Sequence, residues 1–222
     1  TKGIEYAEKG LQLIEGQGIY DSAQAWLLMS LALNKTALGM TPEAIRDGRK
    51  SLSIFTDLEI TWGQAYANHA LQYAFQQSGD LSAAEESARS ALEIISGIGL
   101  PLEEGYIKCG LADVLLEKGL TAEAGPLLED AEKKLESSKL NLCRTLLQYA
   151  RFYWEQKQYK TALDKLYSGL MLCEANHYDT WVIKEKHWIS PLLVELFAQG
   201  TMQDTISRIV KKYSIYALSA LK

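Results

Sequence analysis

The sequence predicts an all-α protein that is built from stacked antiparallel helix pairs. The first observation is a repeat, because four segments of the 222-residue chain align with one another at a pitch of about 40 residues. The second is composition: only 4 prolines interrupt the chain, and the strict alternation that is typical of strands is rare. The third is that a glycine follows most of the aligned helical segments, where it closes the last turn of a helix. Repeated helix pairs that pack on their neighbours account for all three.

The apolar periodicity predicts a leading helix near residues 3–15, followed by five helix pairs. The pairs are expected at about 20–58, 61–98, 101–138, 141–177 and 180–220. Residues 1–222 are therefore predicted to form a single repeat domain. Because the chain begins with Thr1 and shows neither an initiator Met nor a secretion signal, we interpret it as a fragment of a longer protein.

The four copies share columns of equivalent positions. Their turns lie at Gly39, Gly79, Gly119 and Lys157, and a weaker fifth copy turns at Gly200. Five residues past the first four turns lie the alanines Ala44, Ala84, Ala124 and Ala162. Twelve residues before those alanines lie Ala32, Gln72, Ala112 and Ala150. Small side chains in register let two helices cross closely, so these columns are predicted at the helix crossings, and Glu132 is expected to be exposed.

Capping signals agree with helix starts after the turns. Thr61 followed by Gln64, and Ser82 followed by Glu85, fit the capping box, in which a hydroxyl and an acid or amide satisfy free backbone N–H groups. We therefore expect Thr61 and Ser82 to cap their helices. Thr41 before Pro42 is a third candidate, since proline is favoured in the first helical turn.

Charge and hydropathy exclude two classes of partner for this segment. The net charge is −5 and the pI is about 5.3, whereas binding to nucleic acid requires a concentrated basic face. The longest apolar run, residues 25–33, is broken by Ser30 and is too short to span a bilayer. We expect no direct contact with nucleic acid and none with a membrane.

Cysteine usage favours a reducing compartment. The three cysteines, Cys109, Cys143 and Cys173, are odd in number, widely spaced and without a CxxC motif. A disulfide framework is therefore not predicted, and we expect a cytoplasmic location.

The repeat resembles the tetratricopeptide repeat (TPR) over nearly the whole chain. The likeness rests on four aligned segments, LALNKTALGMTPEA, LQYAFQQSGDLSAA, LADVLLEKGLTAEA and YARFYWEQKQYKTA. It implies a right-handed superhelix of stacked helix pairs, a TPR-like α-solenoid, with a concave groove lined by the first helix of each pair. The usual unit has about 34 residues, and here Gln72 and Lys157 replace the expected small residues.

The longer pitch is similar to that of large ATP-dependent transcriptional activators, the class typified by the bacterial maltose regulator. The final unit, PLLVELFAQGTMQDTISRIVKKY, adds to this likeness, because such arrays end in a leucine-rich helix, a glycine turn and an amphipathic helix. The resemblance implies a sensor arm that is joined to other domains in a longer chain.

Ten residues are candidates for binding a ligand or partner, because the alignment places them off the packing stripe of the first helices. They are Trp26, Tyr66, His69, Tyr73, Tyr106, Asp113, Arg144, Arg151, Trp154 and His187. Aromatic rings with a few directional donors are typical of binding sites. Trp26 and Trp154 could equally be core residues. Arg144 and Arg151 lie seven apart on one helix face and either hold an anionic group or pair with Asp113 and Glu117.

No catalytic constellation is found, and we predict neither an enzyme nor a cofactor. The chain lacks the P-loop pattern, GxSxG and HExxH. Cys173 and His177 lie four apart on a helix, but two ligands make a weak metal site, so no metal is predicted.

The sequence leaves two functions open, both non-catalytic. The first is the sensor or regulatory arm of a multidomain transcriptional regulator in signal transduction, which binds a small-molecule inducer or a partner protein in its groove. The second is a free-standing TPR adaptor that holds a peptide or partner helix. For the adaptor, the acidic charge balance favours a basic partner.

Overall fold

The computed structural model describes residues 2–14, 21–178, 182 and 186–213, and in these ranges the chain forms eleven helices and no strand. The helices are α1 (Lys2–Ile14), α2 (Asp21–Ala37), α3 (Thr41–Asp57), α4 (Thr61–Ser78), α5 (Leu81–Ile98), α6 (Pro101–Glu117), α7 (Thr121–Lys134), α8 (Lys139–Glu155), α9 (Tyr159–Asn176), α10 (Lys186–Ala198) and α11 (Gln203–Tyr213). The predicted all-α fold class is confirmed. No helix of the described residues is both long enough and apolar enough to cross a membrane.

The chain divides into two compact units, Thr1–Leu120 and Thr121–Lys222. The first unit holds α1 to α6, and the second holds α7 to α11. In the first unit each helix packs on the next one along the chain, and α2 also packs on α4. In the second unit α8 packs on both α7 and α9. The single repeat domain over 1–222 remains a prediction.

The predicted packing columns are buried throughout. The alanines five residues past the turns and the residues twelve before them are all inaccessible to solvent: Ala44, Ala84, Ala124 and Ala162, with Ala32, Gln72, Ala112 and Ala150. The close approach of helices is measurable at Gly48 of α3, where an added Cβ would lie 2.8 Å from Leu71 Cδ2 on α4. The prediction that small residues mark helix crossings is confirmed.

The predicted turn residues all adopt the left-handed conformation. Their φ angles are +76° at Gly39, +84° at Gly79, +74° at Gly119, +61° at Lys157 and +77° at Gly200. A positive φ is what glycine allows without strain, and it ends the preceding helix. Lysine at the fourth turn therefore performs the same structural role as the glycines.

Backbone hydrogen bonds close each of these turns in the same way. The N–H of the residue after the turn position donates to the carbonyl oxygen five residues earlier, as in Met40 to Lys35 at 3.0 Å and Asp80 to Phe75 at 3.0 Å. The same bond joins Ile60 to Phe55 at 2.9 Å, after the second helix of a pair. This is the Schellman pattern, and it satisfies carbonyl groups that the helix end would otherwise leave without partners.

The capping predictions were wrong by one or two residues. The N-cap of α4 is Ile60, so Thr61 is already helical, and the N-cap of α3 is Met40. At α5 the N-cap is Asp80, whose carboxylate accepts a hydrogen bond from the N–H of Ala83 at 3.0 Å, and Ser82 lies inside the helix. The Schellman closure leaves only one residue between the turn position and the next helix, so the turn rather than a capping side chain sets the start.

A buried ion pair joins α2 to α3 in the first unit. Lys35 Nζ lies 2.5 Å from Asp47 Oδ2, and both side chains are less than one-tenth exposed. Arg46 Nε lies 3.3 Å from the other carboxylate oxygen of Asp47, Oδ1, at the surface. Buried charges of this kind are tolerated because each is compensated by its partner.

The prediction that Glu132 is exposed was wrong. Its carboxylate oxygens each lie 2.7 Å from Lys165 Nζ, and the Glu132 side chain is only about one-third exposed. The same Lys165 ammonium stands 4.7 Å from the Tyr149 ring centroid. Lys165 on α9 thus contacts both Glu132 on α7 and Tyr149 on α8. The sequence alignment did not predict these contacts.

Candidate functional site

The ten predicted site residues are divided between the two compact units. In the first unit they lie on the first helices of the pairs: Trp26 on α2, Tyr66, His69 and Tyr73 on α4, and Tyr106 and Asp113 on α6. In the second unit they are Arg144, Arg151 and Trp154 on α8 and His187 on α10. The side chain of His187 is outside the described residues.

Trp26 is the centre of an aromatic cluster in the first unit. Its ring centroid lies 4.6 Å from that of Phe55, 4.5 Å from that of Trp62 and 6.1 Å from that of Tyr66. Phe55 comes from α3 and is completely buried, whereas Trp26 is half-buried. Trp26 therefore has one side in the core and another toward the surface.

A second ring cluster is built around His69. The His69 ring centroid lies 4.5 Å from that of Tyr106 and 4.8 Å from that of Tyr73, and both contacts are edge-to-face. His69 itself is only 2% exposed. A Cβ added at Gly110 would stand 2.6 Å from His69 Cε1, so α6 approaches α4 here more closely than any side chain on Gly110 would allow.

These clusters define a candidate binding face in the first unit, made of Trp26, Tyr66, Tyr73 and Tyr106. All four rings are half-buried and lie on α2, α4 and α6, the first helices of three successive pairs. Burial, the nearby Glu103 carboxylate and Tyr106 together raise the pKa of the Tyr66 hydroxyl above its ordinary value. Tyr66 therefore keeps its proton at physiological pH and can both donate and accept a hydrogen bond.

The candidate face has an apolar border that the repeat alignment did not predict. Trp62 is 48% exposed and Leu102 is 43% exposed. They precede Tyr66 and Tyr106 by four residues, a spacing that puts each pair on one side of its helix. This border could have been predicted from the sequence, because Trp62 and Leu102 occupy equivalent positions one helical turn before the tyrosines.

Two predicted site residues of the first unit, His69 and Asp113, are buried behind the face. His69 lies near the buried Gln72, since a Cβ added at Gly110 would stand 2.6 Å from His69 Cε1 and 2.9 Å from Gln72 Oε1. A ligand on the candidate face would meet the tyrosine rings before either residue. Direct ligand contact by His69 and Asp113 therefore remains a prediction.

The two arginines of α8 are buried in the second unit. Arg144 is 2% exposed, and Arg151 is also buried. Arg151 Nε lies 2.8 Å from Glu155 Oε1, one helical turn along, and its guanidinium carbon stands 5.9 Å from the Trp188 ring centroid. Arg151 thus has a carboxylate partner on its own helix, while the predicted role of the arginines in binding an anion or in pairing with Asp113 and Glu117 remains untested.

Trp154 packs inside the second unit, with its ring centroid 4.8 Å from that of Tyr159 on α9. It is half-buried and lies next to the apolar core of that unit. This position is compatible with either of the roles left open by the sequence, the core or the groove.

No metal site can be assembled from the described part of the chain, where no three or more His, Cys, Asp or Glu side chains converge. His177, the proposed weak partner of Cys173, is exposed and ends α9 with a φ of +59°. Its left-handed backbone gives it a structural role, the same as that of the turn glycines.

A shallow depression on α5 is separate from the candidate face. Its lining residues are Ser82, Glu85, Glu86, Arg89, Ser90, Glu93 and Lys118. Hydrogen bonds from Lys118 and Arg89 lower the pKa of the Glu85 carboxyl, whose oxygens lie 2.5 Å from Lys118 Nζ and 2.7 Å from Arg89 Nε. Glu85 is therefore held by both cations, as in a surface ion-pair network.

Comparison with known proteins finds similarity in structure but not in sequence. No protein-family model matches the chain, and no curated protein does. The crystal structure of BtubC (BKLC) from P. vanneervenii is 15% identical, with a TM-score of 0.69 over 99% of this chain and 91% of that one. A Rap protein complexed with competence and sporulation factor is 13% identical, with a TM-score of 0.72 over 98% of this chain and 65% of that one.

A putative kinesin light chain from Podosopora anserina, described as having nearly identical TPR-like repeats, is also similar. It is 16% identical, with a TM-score of 0.61 over 91% of this chain and 99% of that one. At these identities the similarity concerns the fold alone. The chain has the TPR-like α-solenoid fold that its repeat columns predicted.

Proposed function

We propose that this chain is a binding scaffold whose candidate face holds a peptide or an exposed segment of a partner protein. The observation that supports this most is the row of half-buried aromatic rings on α2, α4 and α6. Rigid aromatic side chains provide a large contact area at a low cost in conformational entropy, and they are enriched at binding hot spots. The structurally similar Rap protein was crystallised with competence and sporulation factor, which gives the proposal support by analogy.

The chemistry of the face favours a partner segment with cationic and apolar side chains. Glu103 lies close enough to Tyr66 to raise the pKa of its hydroxyl, so negative charge stands beside the rings. The chain as a whole carries a net charge of −5. Lysine or arginine side chains can stack over Trp26 or the tyrosines, and the apolar border of Trp62 and Leu102 can take aliphatic side chains.

A peptide-selection experiment tests this proposal. A display library of random twelve-residue peptides, a length chosen to span about three helices, is panned against the immobilised chain. The affinity of a selected peptide is then measured by calorimetry. We expect the Tyr66→Ala/Tyr106→Ala variant to bind at least about 10-fold more weakly, since hot-spot rings contribute about 1–2 kcal/mol or more. Cationic residues should be enriched in the selected peptides.

The matched control is Tyr167→Ala, which removes a 42% exposed tyrosine from α9, outside the candidate face. It should leave the affinity unchanged. Thermal unfolding of all variants checks that they remain folded. If no peptide is selected, or if the control weakens binding as much as the double variant, the candidate face is not the binding site.

A more specific function for this scaffold is that of a regulatory arm in a multidomain transcriptional activator. Two features support this proposal, the pitch of about 40 residues and the final unit, in which α10, the turn at Gly200 and the amphipathic α11 follow one another. An inducer or an inhibitory protein would act by binding one of two conformations of the array more tightly.

The flanking gene sequence distinguishes this arm from a free-standing adaptor. A P-loop ATPase pattern or a helix-turn-helix encoded in the same reading frame is expected for the regulatory arm. A thermal-shift screen of small sugars and metabolites then searches for the inducer. If the frame encodes only further repeats, the regulator proposal fails and the adaptor that binds a peptide or helix remains.

A further inference from the structure

Two cysteine thiols of the second unit are in contact across the α8–α9 hairpin. Cys143 Sγ and Cys173 Sγ lie 3.0 Å apart, and both side chains are 0% exposed. Cys143 Sγ also lies 3.5 Å from the carbonyl oxygen of Gly169, to which it donates a weak hydrogen bond. Both belong to the apolar core cluster of this unit. The sequence, with the two cysteines thirty residues apart and no CxxC motif, did not predict this contact.

The repeat register shows that packing alone does not require two thiols here. Cys173 lies eleven residues past Ala162, in a column that holds Phe55, Ile95 and Leu135 in the first three copies. Cys143 lies nineteen residues before Ala162, in a column that holds Ala25, Ala65 and Gly105 in the first three copies. The first three helix pairs therefore fill this position with one large apolar residue and one small one. Only the fourth pair has a sulfur on both helices.

We propose that Cys143 and Cys173 are a modification site, a reversible disulfide that crosslinks α8 to α9. A disulfide bond is about 2.05 Å long, so the two sulfur atoms need to approach by only about 1 Å. The crosslink would join two helices that already pack on each other. This inference is independent of the proposed binding function.

The oxidant that the proposal names is a low-molecular-weight disulfide such as glutathione disulfide. The thiolate of one cysteine attacks a glutathione sulfur, which forms a mixed disulfide and releases one glutathione thiolate. The thiolate of the other cysteine then attacks the protein sulfur of the mixed disulfide and releases the second glutathione. Two protein thiols are oxidised, one glutathione disulfide is reduced to two glutathione molecules, and the two thiol protons pass to the released thiolates.

Burial slows this reaction in the folded chain. Because neither sulfur is accessible, the oxidant reaches them only when the α8–α9 hairpin opens. A folded chain should therefore exchange slowly in both directions. Once formed, the crosslink restricts the unfolded chain and so raises the stability of the second unit.

The test refolds the chain from urea in glutathione buffers of graded redox ratio, so that burial cannot protect the thiols. Free thiols are then blocked with N-ethylmaleimide under denaturing conditions, and peptides are mapped by mass spectrometry. We expect two of the three cysteines to escape alkylation in oxidising buffers and a peptide linking residues 143 and 173. The thermal unfolding midpoint should rise by about 6–12 °C. The Cys109→Ala variant should behave in the same way.

The control variant is Cys143→Ala/Cys173→Leu, which restores the small and large pair of the other copies and is therefore expected to fold. It should show no crosslink and no shift of the unfolding midpoint between oxidising and reducing buffers. Three alkylated cysteines in the refolded wild-type chain at every redox ratio would overturn the proposal. So would a crosslink that involves Cys109, or a midpoint shift of equal size in the control variant.

Discussion

At the scale of single residues, Lys157 stands out because it holds the position that glycine holds in the other turns. Its φ is +61°, in the left-handed region that side chains with a Cβ disfavour by about 1–2 kcal/mol. The lysine side chain is exposed and has room, so the strain is confined to the backbone. Glycine relieves this strain but gains entropy in the unfolded chain, which offsets part of the benefit.

We therefore expect Lys157→Gly to raise the free energy of unfolding by about 0.5–1 kcal/mol. Urea denaturation monitored by circular dichroism measures the change. The reverse substitution Gly119→Lys, at a φ of +74°, should lower the free energy of unfolding by a similar amount. If the two substitutions shift stability in the same direction, the turns are not equivalent.

The exposure of the candidate site residues could be predicted only in part. The alignment identified the ring column of Trp26, Tyr66 and Tyr106, because its members repeat with the pitch. It did not show that His69 is buried, since this depends on the close approach of Gly110 from a different helix. Side-chain burial is set by contacts between distant segments, which a single periodicity does not encode.

At the scale of helices, Ala112 shows how tightly the first helices are held. It has no exposed surface and lies in α6 among fully buried neighbours. We expect Ala112→Leu to lower the free energy of unfolding by about 1–3 kcal/mol, because a larger side chain overpacks the crossing. Urea denaturation measures it.

The matched control for this overpacking is Ala122→Leu, at an exposed position in the first turn of α7. An exposed substitution should change stability by no more than about 0.5 kcal/mol. If both substitutions lowered the free energy of unfolding by the same amount, Ala112 would not lie at a tight helix crossing and the repeat columns would be misaligned.

The buried ion pair of Lys35 and Asp47 allows a test of whether successive helix pairs pack in the same way. The equivalent positions in the next copy are Phe75 and Ser87. Asp47→Ser alone leaves the Lys35 ammonium buried without its carboxylate, so we expect a loss of about 3–5 kcal/mol in the free energy of unfolding. The double variant Lys35→Phe/Asp47→Ser copies the second pair and should recover most of that loss in the same denaturation assay. If the double variant is no more stable than Asp47→Ser, the two pairs do not pack alike.

Helix ends were harder to predict than helix positions. The first predicted pair, 20–58, corresponds to α2 and α3, which run from Asp21 to Asp57. The capping residues differed because Met40 and Ile60 start their helices directly after the turn, without a side-chain hydrogen bond. A capping motif is a preference worth about 1 kcal/mol, and the closed turn with its backbone hydrogen bonds outweighs it.

At the scale of the whole molecule, the fold could be predicted because the information for it is local. In the first unit each helix packs on the next one in the chain, so the columns of one copy specify its contacts without reference to remote segments. The partner could not be predicted in the same way. Recognition depends on a few side chains such as Tyr66 and Tyr106, and the same fold presents different side chains in other proteins.

The identical closure of successive turns has a consequence for the gene. After both Gly79 and Gly119 a single residue precedes the next helix, and Ala84 and Ala124 stand at the same distance beyond the two glycines. Removal of codons 81–120 would therefore join α4 to α7 with every column still in phase. Recombination between copies that gains or loses one full repeat changes the length of the array and keeps its columns in phase, whereas the gain or loss of half a repeat would put the columns out of register.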